Sequence, residues 1–130
     1  MSPTITVVQD PIKPVITMTW QRRIEKEDVV TAFAQINQWL DDGKRSQWVI
    51  VDLRENPIFP MLETITQAMK GPYQNKLLVK WLVVNGNPMA KTIERVLSHT
   101  TGIKKVEWFE TMDDAIAYLD EANNENSRPA

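Results

Sequence analysis

Apolar and polar positions alternate along the chain with two different spacings, which predict strands and helices in turn. Two short runs rich in β-branched residues, 4–8 and Val15–Trp20, are separated by two prolines, a pattern that predicts a β-hairpin. From residue 25 to residue 42 apolar side chains recur every three or four positions, as in an amphipathic helix. Residues 48–53 are nearly all apolar, which is typical of a central parallel strand covered on both faces.

The alternation continues to the end of the chain. The remaining predicted elements are a helix from Met61 to Gly71, a strand over 77–84, a helix that Asn87 caps, a strand over 105–109 and a helix after Thr111. Gly43, Gly71 and Gly102 each follow a predicted helix, where a left-handed residue is expected. The order β-β-α-β-α-β-α-β-α predicts an α/β fold with a mostly parallel five-stranded sheet, an N-terminal antiparallel hairpin strand, four helices and sequential strand order.

Composition adds limits to this picture. The chain has 130 residues, of which 42% are hydrophobic, so one domain over residues 1–122 is expected. The last residues, 123–130, lack an apolar anchor and are expected to be disordered. With no cysteine, no signal-peptide pattern and no apolar stretch of about 18 residues, we expect a cytoplasmic protein with no integral membrane segment. The net charge of −2 and the scattered basic residues argue against nucleic acid as a partner.

Asp52 ends the third predicted strand, where open α/β proteins commonly place their chemistry. A phospho-acceptor aspartate of the receiver type also needs an acidic pair after the first strand and a lysine after the last. Only Asp10 follows the first strand, and Glu110-Thr111-Met112 follow the last. The sequence therefore favours an acid that bonds loop amides or caps the next helix.

Other candidate chemistry is weak. Residues 85–92, "NGNPMAKT", lack the glycines of a phosphate-binding loop, which leaves an anion at the start of the Pro88 helix beside Lys91 as the lesser alternative. His99 is the only histidine and has no nucleophile to activate. We therefore expect no enzyme, no cofactor and no metal site. The five tryptophans are expected mostly in the core, with a partner or ligand surface as the alternative.

The element order, the strand "WVIVDL" that ends in an acid, and the closing segment "VEWFETMDDAIAYL" resemble the STAS family, in its stand-alone bacterial, SpoIIAA-like branch. In that family the loop after the third strand resembles Asp-(Leu/Phe)-Ser…Asp-Ser-Ser-Gly, and phosphorylation of a serine at the next helix start switches partner binding. Here Asp52-Leu53 match the start of that motif, but "RENPIFPM" replaces its serines. The next hydroxyl is that of Thr64, inside the predicted helix.

The resemblance implies a non-enzymatic regulatory or interaction module that acts by protein contact through the loop after the third strand, without the family's serine. We expect a protein partner, or self-association as a homodimer, at a surface formed by Asp52, Arg54, Asn56, Ile58, Phe59, Met61, Asn87 and Lys91. The alternative is a carrier or sensor that binds a small apolar or nucleotide-like ligand at the C-terminal edge of the sheet, lined by Phe59, Trp81 and Met89.

Overall fold

The computed structural model describes residues 4–127 of the chain. Within that range the elements are β1 (Ile5–Gln9), β2 (Val15–Trp20), α1 (Lys26–Gly43), β3 (Gln47–Asp52), α2 (Met61–Lys70), a short 3-10 turn (Pro72–Gln74), β4 (Leu78–Val84), α3 (Pro88–Thr101), β5 (Val106–Phe109) and α4 (Met112–Ser127). Apart from the 3-10 turn, which was not predicted, their order and types are those that the apolar spacing predicts.

The strands form one sheet in the order β1-β2-β3-β4-β5. The pairing of β1 with β2 is antiparallel, and the other three pairs are parallel. The predicted hairpin and the sequential sheet are both confirmed. In the parallel part, Thr19 lies beside Asp52, Asp52 beside Val84, and Val84 beside Phe109. The C-terminal ends of β2 to β5 therefore meet along one side of the sheet, here called the carboxyl edge.

The two faces of the sheet are covered unequally. Helices α1, α2 and α3 cover one face and enclose the larger core, which includes Ile16, Met18, Val49, Ile36 and Leu40. Helix α4 covers the other face alone, over a smaller core that includes Ile50, Leu82, Ala115 and Leu119. All five tryptophans contribute: Trp20, Trp48 and Trp81 are buried, while Trp39 and Trp108 are partly buried and pack against the larger core. The expectation that they are mostly core residues is confirmed.

The helix ends match the predictions in part. Asn87 caps α3 by accepting the amide of Ala90 at 2.9 Å, and Gly102 ends that helix with a φ of 74°, as expected. The left-handed residue after α1 is Lys44, with a φ of 53°, because the helix continues through Gly43. Gly71 is not left-handed either, since its φ is −139°. For Gly43 and Gly71 the prediction was wrong.

The chain end also differs from expectation. Residues 123–127, predicted to be disordered, continue α4 as far as Ser127. Ala115 and Leu119 already hold this helix against the sheet. Extending an existing helix fixes few further torsions for each new hydrogen bond, so polar residues can follow without an apolar anchor. Residues 128–130 of the predicted tail lie outside the described residues. No helix between residues 4 and 127 is long and apolar enough to cross a membrane.

Candidate functional site

The loop of residues 53–60, which joins β3 to α2 and is called the β3–α2 loop, leaves the carboxyl edge from Asp52. The Asp52 carboxylate is buried and accepts hydrogen bonds from Arg54 Nε, at 2.9 Å, and from Arg54 Nη2, at 2.7 Å. It also accepts the Arg54 backbone amide at 3.0 Å. Burial alone would raise the pKa of Asp52, but the hydrogen bonds and charge of Arg54 outweigh it and lower that pKa. The acid thus remains charged and fixes the start of the loop, as the sequence favours.

The middle of the loop is tied to the start of α3. Asn56 adopts a left-handed conformation with a φ of 50°, which asparagine tolerates better than most residues. Its amide donates to the Leu53 carbonyl at 2.9 Å, and its side-chain oxygen accepts Asn87 Nδ2 at 3.3 Å. The same Asn87 caps α3, so one side chain joins the loops that follow β3 and β4. The structure therefore pairs Asp52 with Arg54, and Asn56 with Asn87, at the start and in the middle of the loop.

The last part of the loop pairs with the segment that follows β2. The Ile58 amide donates to the Arg22 carbonyl at 2.7 Å, and the Ile24 amide donates to the Ile58 carbonyl at 2.9 Å. These bonds form an isolated parallel bridge between Ile58 and Arg23. Because neighbouring side chains of an extended segment point to opposite sides, Ile58 faces outward and is 68% exposed, whereas Phe59 is buried.

Phe59 is a core residue. Its ring meets that of Trp20 edge-on, with the ring centres 5.0 Å apart. The prediction that Phe59 offers apolar surface to a partner is therefore wrong, because the backbone bridge at Ile58 turns its ring inward. Met61 is partly buried and packs against the same core. The exposed apolar residue that sequence reasoning missed is Leu62, which is 78% exposed on the first turn of α2.

The first hydroxyl group after Leu53 in the sequence is that of Thr64, and it is not accessible at the start of α2. Thr64 is buried in α2, and its Oγ1 donates to the Pro60 carbonyl at 2.8 Å. Pro60 and Met61 stand at the N-cap and first position of α2. A kinase would reach the Thr64 hydroxyl only after this turn of the helix opened.

The turn after β4 is closely packed around Trp108. A Cβ added to Gly86 would lie 2.6 Å from Cε3 of Trp108, so only glycine fits this approach. The Lys91 ammonium lies 5.7 Å from the ring centre of Trp108, within the range of a cation–π contact. The Ala90 amide, at the start of α3, already donates to the Asn87 side chain. The two groups suggested for anion binding, this amide and the Lys91 ammonium, therefore both have partners within the protein.

Other chemistry is sparse around the carboxyl edge. Among residues 4–127, no three His, Asp or Glu side chains gather in a way that could hold a metal ion. His99 is exposed in the last turn of α3, at the end of that helix away from Asn87. Arg22 and Arg23 are exposed on the segment that pairs with Ile58, and Arg54 and Glu55 are exposed in the loop itself.

A cavity of about 90 Å³ lies between the larger core face of the sheet and helices α2 and α3. Phe59 and Trp81, two of the residues predicted to line a ligand site, form part of its wall. Met89, the third, packs against the larger core and is not among the wall residues.

No family model matches this sequence, and no curated protein matches it either. Several solved structures do resemble the fold. SpoIIAA, an anti-sigma factor antagonist in its unphosphorylated form, has a TM-score of 0.62 and 11% identity, covering 89% of this chain and 97% of its own. An uncharacterized DUF3478-family protein with a SpoIIAA-like fold, from Shewanella loihica PV-4, has a TM-score of 0.61 and 14% identity, covering 88% and 91%.

An anti-sigma factor antagonist from Mycobacterium paratuberculosis has a TM-score of 0.56 and 15% identity, covering 92% of this chain and 97% of its own. At these identities the likeness concerns the fold. The agreement covers 88–92% of this chain and 91–97% of the three other chains. The chain therefore has a SpoIIAA-like fold, as its sequence resemblance to the STAS family predicts.

Proposed function

We propose that this chain is a regulatory module that acts by binding a protein partner, without catalysing a reaction, and that the β3–α2 loop is its contact surface. Two structurally similar proteins are named as antagonists of anti-sigma factors, a name that describes action on another protein. The fold is thus one on which regulation through protein contact occurs.

The observation that carries the proposal is the way in which Ile58 is presented. Its side chain is 68% exposed, while its amide and carbonyl are both hydrogen-bonded to the segment after β2. Pro57 and Pro60 restrict the backbone on either side of it. A partner that buries Ile58 therefore gains apolar contact without ordering the loop, which lowers the entropic cost of binding.

The charges around Ile58 indicate the kind of partner. Arg22 and Arg23 are exposed on the segment paired with Ile58, and Arg54 is exposed in the same loop, with Glu55 as the acid next to it. Apolar centres with a polar rim are the usual anatomy of protein interfaces. The loop thus suits a partner that offers an apolar recess bordered by acidic side chains.

The side chains of the β3–α2 loop are better suited to binding a partner than to catalysing a reaction. The Asp52 carboxylate is buried and already accepts three hydrogen bonds from Arg54. A general base needs a lone pair within reach of a substrate proton. With proline and methionine at the start of α2, the phosphorylated serine of the antagonist motif has no counterpart there. The proposed binding is therefore not switched at that position.

Affinity capture with matched variants tests the proposal. Ile58→Asp places a charge in the centre of the contact surface, and Ile12→Asp makes the same change at an isoleucine that is 85% exposed in the turn between β1 and β2, at the opposite edge of the sheet. Proteins captured from the source organism by wild type and by Ile12→Asp, but lost with Ile58→Asp, are the expected result.

Native mass spectrometry of the same three proteins covers self-association. If the partner is a second copy, wild type and Ile12→Asp give dimers, and Ile58→Asp gives monomer. An Ile58→Asp variant that keeps both the captured proteins and the oligomeric state of wild type would remove the β3–α2 loop as the contact surface. Phe59 is unsuitable for this test, because it is buried and its substitution would disturb the core.

A further inference from the structure

The cavity between the sheet and helices α2 and α3 has walls of aromatic and aliphatic side chains. Its aromatic lining residues are Trp20, Phe33, Phe59, Tyr73, Trp81 and Trp108. Four of the wall residues, Ala90, Glu94, Val106 and Trp108, are only partly buried, so the lining reaches the surface beside α3 and β5. A small molecule can therefore approach the cavity from this side.

The hydrogen-bonding groups in the wall fall into two classes. The hydroxyl of Tyr73 donates to the Ile103 carbonyl at 2.7 Å, and that of Thr64 donates to the Pro60 carbonyl at 2.8 Å. The indole N–H groups of Trp20 and Trp81 are also buried, but neither has an acceptor among the described residues. Buried donors in folded proteins nearly always have an acceptor, because an unpaired one is destabilising.

We infer that this cavity binds a neutral, mainly apolar small molecule whose oxygen accepts a hydrogen bond from the indole of Trp20, of Trp81, or of both. The site is separate from the outer surface of the β3–α2 loop, so the inference goes beyond the proposed function. The aromatic walls supply apolar contact, and the unpaired donors select a ligand with a carbonyl or ether oxygen.

The charge of the wall excludes an anionic ligand end. The lining residues include no lysine, arginine or histidine, and the acid among them is Glu94. A carboxylate or phosphate inside the cavity would lose its hydration, meet no cation among the lining residues and be repelled by Glu94. A cavity of about 150 Å³ holds benzene in another protein. The volume of about 90 Å³ here therefore accommodates the acceptor end of a ligand, with the rest extending towards Glu94 and Trp108.

Titration with cyclohexanone and with methylenecyclohexane tests this inference, because the two probes share a shape and differ in the acceptor oxygen. The five tryptophans give indole N–H signals in a ¹H–¹⁵N correlation spectrum. Cyclohexanone is expected to shift the indole signal of Trp20, of Trp81, or of both downfield, in the direction of hydrogen-bond formation. The signals of Trp39 and Trp48, which are not among the lining residues, serve as internal controls.

Single substitutions test the indole N–H donors and the volume of the cavity independently. Trp20→Phe and Trp81→Phe each keep an aromatic ring but remove one N–H, and at least one of them is expected to weaken cyclohexanone binding about fivefold, the usual effect of one net hydrogen bond. Ala90→Leu fills the cavity from its partly buried side and is expected to abolish binding, with thermal unfolding confirming that each variant is folded. Equal affinity for both probes, or no shift of either indole signal with cyclohexanone, would overturn the inference.

Discussion

The turn between β1 and β2 is Asp-Pro-Ile-Lys-Pro at residues 10–14, and the β3–α2 loop ends in Asn-Pro-Ile-Phe-Pro at residues 56–60. The two segments share the pattern Pro-Ile-x-Pro and lie at opposite ends of the parallel strands. Each displays a highly exposed isoleucine, Ile12 in the first and Ile58 in the second. They differ in how that isoleucine is held.

The turn of residues 10–14 is held locally. Asp10 Oδ1 accepts the amides of Ile12 at 2.8 Å and Lys13 at 2.7 Å, and the Lys13 ammonium reaches Asp120 at the surface, 3.0 Å away. In the β3–α2 loop, Phe59 takes the place of Lys13 and enters the core. The exposed isoleucine thus belongs to a turn fixed by Asp10 in the first segment, and to a surface that Phe59 anchors in the core in the second.

Substitution of the residues at this differing position should give the largest effect on stability. Phe59→Ala removes a buried ring beside Trp20 and is expected to lower the free energy of unfolding by about 3 kcal/mol. Lys13→Ala removes a surface ion pair and is expected to cost less than about 0.5 kcal/mol. Urea unfolding of both variants measures the two values. Similar losses from both substitutions would mean that the loop is no better anchored than the turn.

The next largest effect is expected in the rates of amide hydrogen exchange at Ile58 and Ile12. The Ile58 amide is bonded to the Arg22 carbonyl, in a segment that Phe59 fixes to the core, whereas the Ile12 amide is bonded only to the nearby Asp10 side chain. We expect exchange at Ile58 to be slower by on the order of 100-fold, because the loop opens only with its anchor. NMR-detected exchange provides the measurement, and comparable rates at both amides would contradict the anchoring.

The ion pair at the start of the loop should have a smaller, pH-dependent effect. Arg54→Met leaves Asp52 with only a backbone partner and is expected to cost about 1 kcal/mol at neutral pH, a moderate value because the Arg54 side chain is 57% exposed. Burial by itself raises the pKa of Asp52, but Arg54 lowers it below the value in the unfolded chain. The stabilisation is therefore complete above the unfolded pKa of about 4 and is lost as the pH falls through the folded pKa.

Wild type and Arg54→Met should accordingly converge in stability under acid. Urea unfolding at a series of pH values follows the gap between them. A gap that stayed constant down to the acid limit would mean that Arg54 stabilises the loop by packing and not through the Asp52 charge.

The sequence predicts the frame of this molecule well and the loop only in part. Strand and helix positions follow from apolar spacing within short windows, and the sequential sheet follows from short connections. The position of Asp52 at the carboxyl edge is fixed by that frame. Which of the adjacent apolar residues Ile58 and Phe59 enters the core depends instead on the bridge to Arg23, a contact between distant parts of the chain.

Other misses have the same origin. Leu62 continues an apolar run, but the helical face it occupies turns away from the core, as the spacing of Met61, Ile65 and Met69 indicates. The need for Gly86 arises from Trp108 on the neighbouring strand, which no local pattern predicts. The cavity depends on how closely helices α2 and α3 approach the sheet, and its unpaired indoles are recognisable only once their surroundings are known.

The proposed role of the β3–α2 loop is tested most directly by the equilibrium affinity of a captured partner for the matched variants Ile58→Asp and Ile12→Asp. Both residues are exposed, so both variants should fold as wild type does. The account predicts that Ile58→Asp weakens binding about tenfold or more, as expected for a residue central to an interface, while Ile12→Asp leaves the affinity unchanged. Equal affinities for the two variants, or a loss with Ile12→Asp alone, would contradict it.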